Sequence, residues 1–454
     1  MIQKLKNNSN LNNILLVCLT VVAFIVLCYC AVKLSPFLAP DEINRVKIPL
    51  YLYFHNTLPI GTEKELVDWT WGNSYAFVPY LTSLIAYVFM KIAYLINCNM
   101  NFAMRFVSIV SVCGTMFVSY FIGKELFKKE STALLLAVLC GFLPQVIFIG
   151  SYFNNDAFSI FIAGVIIFCW IRGIKNNWSY PICVLLGIAL GCMALTYYYA
   201  YGFILMSIPV FLLSYYFNNK GDWSGLIKKA LVIFIISFII AGWFFIRNFI
   251  IHNGDFLGMK TSEIFAENNA IDLSKKPSLR NTPYRLNESF IQAFCLKHPA
   301  FSWFEQTAYS FIGYYGNISI VMARFVYAIY AVFFGVGLLS AIVFKFKDIK
   351  KVTADKIRKN QKNLFIIALI CTIIIPIALS MYYSYYSDYQ AQGRYIISCL
   401  ISLMIFVCFG FDRLLPKISE KLGLKNLDLN YVLIIFYILM FFFVFNRYFW
   451  KLWI

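Results

Sequence analysis

Long apolar runs recur along the whole chain and constrain its fold more than any other feature. From residue 14 towards the C-terminus they follow one another, each with about 20 residues and thus long enough to cross a hydrocarbon core ~30 Å thick. The composition agrees, since 61% of the 454 residues are hydrophobic, 13% are charged and the mean hydropathy is +0.73. No polar stretch is long enough for a separate water-soluble domain. The sequence therefore predicts an all-α integral membrane protein with a single multi-span domain over residues 1–454.

Eleven of these runs are predicted to span the membrane. They are 14–32, 102–122, 133–149, 157–171, 181–197, 202–217, 230–246, 320–344, 364–382, 395–411 and 431–445. A further apolar run, 77–96, contains Pro79 and Lys91, which favour an interfacial helix over a span. Residues 33–101 then form a long first external loop that includes this interfacial helix.

The basic residues predict the orientation of the chain in the membrane. If run 77–96 does not cross, the Lys- and Arg-rich loops all fall on one side, as is typical of short cytoplasmic loops. These loops are 124–129, 172–175, 220–229, 345–362 and 413–425. The formal net charge of +18 is thereby explained without nucleic acid, because the sequence has no basic helix and no surface for base stacking. The opposite, external side receives 33–101, 150–156, 197–201, 247–317 and 383–394.

The thirteen cysteines lie mostly within apolar runs, and none is in a CxxC pattern or paired with one of the three histidines. The sequence therefore predicts neither a disulfide framework nor a zinc site. The first apolar run is too long for a cleaved signal peptide and has no small-x-small cleavage site, so we expect it to be retained as a helix.

Polar motifs concentrate on the predicted external side. The adjacent carboxylates Asp41 and Glu42 follow the first span directly, and such a pair is costly in an apolar protein unless it has a function. The motifs, in chain order, are Ala39-Pro40-Asp41-Glu42, Leu58-Pro59-Ile60-Gly61, Arg105-Phe106, Phe153-Asn154-Asn155-Asp156-Ala157, Trp243-Phe244-Phe245-Ile246-Arg247-Asn248 and Gln390-Ala391-Gln392-Gly393-Arg394-Tyr395. Chemistry is therefore expected on the external side.

These motifs resemble those of GT-C glycosyltransferases in their order along the chain and in their location on one side of the membrane. GT-C glycosyltransferases take a sugar from a polyprenyl-phosphate carrier outside the membrane. The resemblance is closest to a bacterial branch related to the protein mannosyltransferases and the lipid A aminoarabinose transferase. It implies a hexosyl or pentosyl transferase of the cell membrane that inverts the anomeric centre. The implied partners are membrane lipids, the carrier-linked donor, and a cell-envelope glycan or lipid-linked acceptor. A histidine often follows the acidic pair in that branch, whereas this chain has Asn44 and Arg45 there, so no role is assigned to a histidine.

The resemblance implies that Asp41 is the catalytic base; the alternative is a solvated loop acid. Polyprenyl phosphate leaves as a stable anion, so one carboxylate that removes the proton of the acceptor hydroxyl is sufficient, unlike glycoside hydrolysis with its two carboxyl groups. Glu42 is expected to act beside Asp41 as a helper, as a metal ligand or as an acid at a helix N-terminus.

Further residues are expected to bind substrate. Asn155 and Asp156 either bind the acceptor or a divalent cation or cap the helix that begins there. Arg247 and Arg394 either grip the donor phosphate through a planar fork or anchor span ends at the headgroups. Gln392 and Tyr395 share the Arg394 motif and are included in the site. The tyrosines of 197–201 form an interfacial aromatic belt or line the substrate cleft.

Three questions stay open at this point. The cofactor is unknown, although Asp41 and Asp156 with water could hold a divalent cation. A lipid-linked polysaccharide polymerase or ligase is one alternative, although its key residues usually lie in late external loops. A lipid-linked sugar transporter or flippase is the other, and it would need ionisable groups at mid-membrane or repeated halves, neither of which the sequence shows.

Overall fold

The computed structural model describes residues 9–296, 301–344, 359–424 and 427–452. The helices are α1 (Ser9–Lys33), α2 (Glu42–Arg45), α3 (Lys47–His55), α4 (Leu81–Leu95), α5 (Met100–Leu126), α6 (Glu130–Gly141), α7 (Pro144–Gly150), α8 (Asp156–Lys175), α9 (Tyr180–Ala194), α10 (Gly202–Asn218), α11 (Trp223–Ile251), α12 (Met259–Asn269), α13 (Trp303–Gly313), α14 (Arg324–Val343), α15 (Lys359–Tyr386), α16 (Leu400–Lys421) and α17 (Leu429–Tyr448). Two short strands, β1 (Tyr314–Tyr315) and β2 (Ile320–Val321), pair antiparallel with Tyr314 opposite Val321. The prediction of an all-α membrane protein is confirmed.

Among the described residues, nine helices are long and apolar enough to cross a membrane. They contain α1, α5, α8, α10, α11, α14, α15, α16 and α17. Each coincides with a predicted span, although the predicted span 320–344 begins too early, because residues 320 and 321 belong to β2 and α14 starts at Arg324. Part of the predicted basic loop 345–362 lies outside the described residues.

The predicted span 133–149 is not one straight helix. α6 and α7 are bent by 58° at the break around Phe142 and Leu143. Pro144 at the start of α7 explains the break, because proline has no N–H to donate and its ring clashes with the preceding turn. Both helices are almost completely enclosed, and they form the centre of the bundle.

The predicted span 181–197 is also shorter than expected. α9 has 15 residues, which corresponds to ~22 Å. The chain then turns through the extended residue Tyr197 into a 3₁₀ helix, Tyr198–Tyr201. α9 nevertheless connects the same two ends of the bundle as α8, since it starts beside the end of α8 and the Thr196 carbonyl accepts a hydrogen bond from Asn155 at the start of α8.

One end of the bundle, here called the basic end, collects the predicted cytoplasmic loops. There Glu125 at the end of α5 pairs with Arg172 (2.8 Å) and Lys175 (2.7 Å) at the end of α8. Other contacts at this end join Asn13 to Tyr120, Asn177 to Asn219, Lys229 to Asn177, Gln361 to Asn218, Thr132 to Asp412 and Asn430 to Ser131. Within the described ranges, eleven helices, with α6 and α7 counted as one, thus run between this end and the opposite one.

The opposite end, here called the carboxylate end, carries Asp41, Asp156 and Arg394. α4 starts and finishes there, because Leu81 donates a backbone hydrogen bond to Leu195 after α9, while α4 leads directly into the start of α5. Its Lys91 lies over the ring of Tyr53 in α3 at 4.5 Å. The run 77–96 therefore lies along one end of the bundle, as the loop charges predict.

Candidate active site

Asp41, directly before α2, has an unusual backbone conformation. Its φ of 61° and ψ of −2° place it in the left-handed region, where Asp and Asn are the least disfavoured side chains after glycine. Although Asp41 is at the N-cap position, its carboxylate caps no backbone N–H of α2. The carboxylate is therefore available to groups outside its own helix.

Arg394 provides the partner of this carboxylate from a distant part of the chain. Its Nη2 atom donates to Asp41 Oδ2 at 2.6 Å. The Arg394 side chain is 7% exposed, whereas the Asp41 side chain is 32% exposed. The pair is thus buried on the arginine side and open on the carboxylate side.

The charge surroundings keep Asp41 ionised. Burial alone would raise the pKa of the Asp41 carboxyl, but the Arg394 charge first and the Arg45 charge second lower it below its ordinary value. The Tyr75 hydroxyl acts in the same direction. Asp41 is therefore a carboxylate that can accept a proton at neutral pH.

Gln392 and Tyr395 surround Arg394, as expected for members of one motif. Gln392 Oε1 accepts a hydrogen bond from Arg394 Nε at 2.7 Å, and the Tyr395 hydroxyl accepts one from Nη2 at 3.1 Å. Arg394 Nη1 makes no hydrogen bond to any residue that the structure describes. The polar atoms of Gln392 contact protein groups, so its place is beside the arginine.

Glu42 points away from Asp41 into a buried ion pair. It is 1% exposed, and its two oxygens accept from Arg105 Nε at 2.7 Å and Nη2 at 2.5 Å. The backbone N–H of Phe153 donates to the same carboxylate at 2.7 Å, while Arg105 Nη1 donates to the carbonyls of Ala31 and Leu34. Of the roles that the sequence left open, the acid in the first turn of a helix matches this position. Both oxygens are engaged by protein donors.

Asn155, at the start of α8, connects α4 to the end of α9 through hydrogen bonds. Its Oδ1 accepts from Thr82 at the start of α4, and its Nδ2 donates to the Thr196 carbonyl at 2.9 Å. The expected helix cap is instead supplied by Asn154, whose Oδ1 accepts from Ala157 N at 3.0 Å. Both ends of the Asn155 amide are thus used in holding α4 and α9 together.

Asp156 belongs to the same charged group as Asp41. It is 2% exposed, and its Oδ1 has no hydrogen-bond partner among the described residues. Arg394 and Arg45 are charged neighbours of Asp156 as they are of Asp41, and the Tyr197 hydroxyl lies beside it. The structure thus brings together three of the predicted residues, Asp41, Asp156 and Arg394, with Gln392 and Tyr395 next to the arginine.

Arg247 is held elsewhere at the carboxylate end. It lies in the last turns of α11, and its Nη2 donates to the Leu58 carbonyl at 3.1 Å. Its Nη1 is buried without a partner among the described residues. The contact with Leu58 joins two of the sequence motifs, but the structure shows no contact between Arg247 and the Asp41–Arg394 pair.

Arg45 and Tyr75 are site residues that the sequence analysis did not assign. The Arg45 guanidinium lies over the Tyr75 ring at 4.5 Å, and its Nε is buried without a hydrogen-bond partner among the described residues. The spacing of four residues between Asp41 and Arg45 was the available signal, because it places a cation one helical turn from the acid. Tyr75 gave no such signal.

The tyrosines of 197–201 are partly enclosed. Tyr198 and Tyr201 donate to the carbonyls of Leu257 and Ala194, both at 2.6 Å. Tyr199 packs against Tyr395, with ring centroids 5.2 Å apart. This turn therefore supports the wall beside Arg394.

The residues around Asp41 do not form a set of metal ligands. Within the described ranges, no group of three or more His, Cys, Asp or Glu side chains could hold a metal ion. Asp41 is bound to a guanidinium, and Asp156 is the other carboxylate of the group.

Comparisons with solved structures identify the fold. ArnT from Cupriavidus metallidurans bound to undecaprenyl phosphate matches with a TM-score of 0.51 and 14% identity, over 89% of this chain and 61% of ArnT. The archaeal oligosaccharyltransferase AglB from Archaeoglobus fulgidus, in complex with an inhibitory peptide and a dolichol-phosphate, matches with a TM-score of 0.53 and 11% identity, over 93% of this chain and 54% of AglB. The chain thus spans between about half and three fifths of the length of these proteins. ArnT and AglB are GT-C superfamily glycosyltransferases, and this chain has their fold.

Comparisons of sequence give the family. No curated protein matches the chain. The family described as "Predicted membrane protein (DUF2142)" matches residues 42–403, which begin directly after Asp41 and include Asp156, Arg247 and Arg394. Because this match covers well over half of the sequence, the chain belongs to the DUF2142 family.

Proposed function

We propose that the protein is an inverting glycosyltransferase that moves a sugar from a polyprenyl-phosphate carrier to a cell-envelope glycan or lipid-linked acceptor. The observation that carries this proposal is the Asp41–Arg394 pair, in which an ionised carboxylate is open on one side of a buried arginine. A base and a phosphate ligand are the two groups that this transfer needs. The GT-C fold, which ArnT and AglB share, supports the same class of reaction.

In the proposed reaction, Asp41 accepts the proton of the acceptor hydroxyl. The hydroxyl oxygen attacks the anomeric carbon as the bond from that carbon to the phosphate oxygen breaks, so the configuration inverts. The electron pair leaves with polyprenyl phosphate, which is a stable anion and needs no general acid. One carboxylate is then sufficient, and Glu42 serves as the buried support of the loop that carries Asp41.

In the proposed reaction, the charged residues around Asp41 bind the donor phosphate and the sugar. Arg394 Nη1, which has no hydrogen-bond partner among the described residues, can bind a phosphate oxygen, and the neighbouring Arg45 adds positive charge where the anion develops. Asp156 Oδ1, buried and without a partner among the described residues, can accept from a sugar hydroxyl. We assign Arg247, whose Nη1 is also unpartnered among them, to the carrier phosphate as it approaches from the bilayer.

The membrane orientation follows from the basic end. Short loops rich in Lys and Arg stay in the cytoplasm, so the carboxylate end faces outward. Carrier-linked sugars presented at that face would reach Asp41 from the bilayer. A transporter would instead need ionisable groups in the middle of the spans, whereas Asp41, Asp156 and Arg394 lie at the ends of helices.

Transfer from defined donors tests the proposal. The purified protein in lipid nanodiscs is incubated with a panel of polyprenyl-phosphate sugars, matched polyprenyl-diphosphate sugars, and glycan or lipid-linked acceptors. We expect product only from monophosphate donors, with inverted anomeric configuration. Product only from diphosphate donors would favour a polymerase or ligase. Donor movement across vesicles without any product would favour a flippase.

A further inference from the structure

The segment that leads into Arg394 carries polar side chains at every second position. Asp388, Gln390, Gln392 and Arg394 are separated by one residue each, and Gln392 has extended backbone angles of −130° and 124°. The segment is not a regular strand, because the Gln392 N–H donates to the Gln390 carbonyl at 3.1 Å and Arg394 lies in the 3₁₀ helix Gly393–Cys399. Hydrogen bonds between the four side chains nevertheless arrange them in a row that ends at the guanidinium facing Asp41.

This row is joined by continuous hydrogen bonds. Gln390 Nε2 donates to Asp388 Oδ2 at 2.6 Å, and Gln392 Nε2 donates to Gln390 Oε1. Gln392 Oε1 accepts from Arg394 Nε at 2.7 Å, and Arg394 Nη2 donates to Asp41 Oδ2 at 2.6 Å. Asp388 is thus connected to the proposed base through two amides and one guanidinium.

Asp388 sets the direction of the row. An ionised carboxylate only accepts hydrogen bonds, so it selects the orientation in which the Gln390 NH₂ group points towards it. Gln390 then presents its oxygen to Gln392, and Gln392 in turn presents its oxygen to Arg394. A reversed row would place an NH₂ group against Arg394 Nε, which is itself a donor.

The backbone of the row is fixed by buried neighbours. Ser384 Oγ, which accepts from Trp303 Nε1 at 3.0 Å, donates to the Gln390 carbonyl. Gly393 N donates to Ser310 in α13 at 2.6 Å. Gly393 lies so close to the backbone of α13 that a Cβ atom would overlap Phe311. The row therefore has little freedom to adjust when one of its side chains changes.

We propose that Asp388, Gln390 and Gln392 are positioning residues for Arg394. By occupying Nε, they leave Nη2 for Asp41 and direct Nη1 to the donor phosphate. This inference rests on the proposed function for the role of Nη1, while the row itself is independent of it. It replaces the expectation that Gln392 binds substrate.

A double-mutant cycle between two residues that do not touch tests the row. Gln392→Glu keeps an acceptor for Arg394 but places two oxygens together, because Asp388 prevents the Gln390 amide from turning. The repulsion between these two oxygens should displace the new carboxylate from Arg394 Nε, so we expect the KM for donor to rise about tenfold or more, the usual effect of losing a hydrogen bond to a charged group. Asp388→Asn alone should raise this KM less than Gln392→Glu does, because the new amide oxygen can still accept from Gln390. The double variant should recover, because the amide that Asp388→Asn introduces can donate to Gln390, which then turns and donates to the carboxylate at position 392.

A second double variant excludes a simple charge effect. Asp272→Asn with Gln392→Glu has the same net charge as Asp388→Asn with Gln392→Glu, but it leaves Asp388 in place to hold the Gln390 amide. The row predicts no recovery, whereas an effect of net charge alone predicts recovery in both and would overturn the proposal. Gln306→Leu is the matched control, since that side chain makes no hydrogen bond to the described residues, and it should leave the KM for donor unchanged.

A readout without substrate separates this inference from the proposed function. In ¹⁵N-arginine-labelled protein in micelles, the Arg394 Nε–H resonance is assigned by its loss in Arg394→Lys. We expect faster exchange with water in Gln392→Glu, and recovery only in the double variant that adds Asp388→Asn. Unchanged exchange in Gln392→Glu and in Gln392→Leu would disprove the row. If this cycle holds but no donor is used, the row stands and the proposed function fails.

Discussion

Asp41 combines three properties that a base for sugar transfer needs: it is ionised, partly exposed and fixed in position. The Arg394 charge keeps Asp41 ionised, and the open side of the pair leaves the carboxylate partly exposed. Glu42 fixes the position of Asp41, because its buried ion pair with Arg105 ties the adjacent residue to α5. In the proposed reaction, the two acids of the motif therefore have separate roles: Asp41 accepts the proton and Glu42 holds the loop in place.

Replacing the carboxylate alone tests the base. Asp41→Asn keeps the shape and tolerates the left-handed backbone, but removes the proton acceptor. We expect turnover to fall by roughly 10² or more, the usual contribution of general base catalysis, with donor binding largely kept. Asp272→Asn is the control, since Asp272 is an exposed acid that caps its own turn in segment 247–317, which is predicted to be external. Equal turnover in both variants would exclude Asp41 as the base.

The pH dependence tests the charge pairing. Since the pKa of Asp41 is below its ordinary value, the ionised pair stabilises the fold above the ordinary aspartate range and is lost as the pH falls through the folded-state pKa. Arg394→Gln removes the nearest positive charge, so the pKa of Asp41 rises and the acid limb of kcat/KM moves to higher pH. Arg285→Gln, an exposed arginine, should not move this limb. An unchanged limb in Arg394→Gln would mean that Asp41 does not control it.

Arginine-to-lysine changes separate phosphate binding from membrane anchoring. Lysine carries a charge on a long stem and replaces a headgroup anchor, but it has no planar fork. We expect Arg247→Lys and Arg394→Lys to raise the KM for donor while melting temperatures stay close to wild type. The control is the opposite exchange, Lys275→Arg, in segment 247–317, which is predicted to be external. Unchanged donor dependence in either variant would assign that arginine to anchoring or packing.

Local sequence predicts the residues of the site better than their partners. Asp41, Asp156 and Arg394 stand out because charges are rare near apolar spans. The contact between Asp41 and Arg394, however, crosses 353 positions of sequence, and no spacing rule reaches so far. The same limit explains why Glu42 is expected in catalysis although Arg105 engages it, and why Asn155 rather than Asn154 is expected to cap α8.

At the scale of elements, glycines determine how closely α14 and α16 pack. A Cβ atom on Gly410 of α16 would overlap the Gly337 carbonyl of α14, whereas one on Gly335 would meet nothing within 4 Å. Small residues allow membrane helices to approach at such crossings. The crossing supports α16, and the 3₁₀ helix that precedes α16 carries Arg394.

Paired alanine substitutions test this crossing. Gly410→Ala should lower the melting temperature, because the two backbones must separate. Gly335→Ala should leave it unchanged or raise it, since alanine is favoured over glycine in helices by up to ~1 kcal/mol. Thermal unfolding in the same detergent measures both. Equal melting temperatures would show that α14 and α16 pack less closely than described.

Helix number and order are largely predictable here because apolar length is a local property. The positions where helices break or end are harder to predict. Pro144 signals the bend between α6 and α7, but the early end of α9 has no comparable sequence signal. There the Leu195 and Thr196 carbonyls are used by Leu81 and Asn155 from other elements. Tertiary partners thus decide where α9 ends.

At the scale of the whole molecule, the two ends of the bundle differ in their charged residues. The basic end is joined by ion pairs and amide contacts between neighbouring helices. The carboxylate end contains the charged group of Asp41, Asp156 and Arg394 and the segments predicted to be external. The course of α4 along the carboxylate end keeps these two sets of loops apart, because a crossing there would exchange the sides of all later loops.

Site-directed labelling tests this arrangement. In a cysteine-light background, single cysteines at Lys64 and Asn99 should react with an impermeant reagent added outside intact cells. A cysteine at Lys220, exposed at the basic end, should react only after permeabilisation. These results follow if α4 does not cross and basic loops are cytoplasmic. Labelling of Asn99→Cys from the cytoplasm alone would contradict the arrangement.

The left-handed backbone at Asp41 also restricts which side chains could serve as the proposed base. Glutamate would keep the acid, yet residues other than Gly, Asn and Asp rarely occupy φ near 61°, and such strain costs of order 1–3 kcal/mol. Its longer side chain would also displace the carboxylate from Arg394. Replacing this aspartate by glutamate would thus strain the backbone and displace the carboxylate, although both side chains are carboxylic acids. If the proposed reaction is correct, this loop therefore favours aspartate at the reacting position, and changes in substrate range are expected in the residues around it.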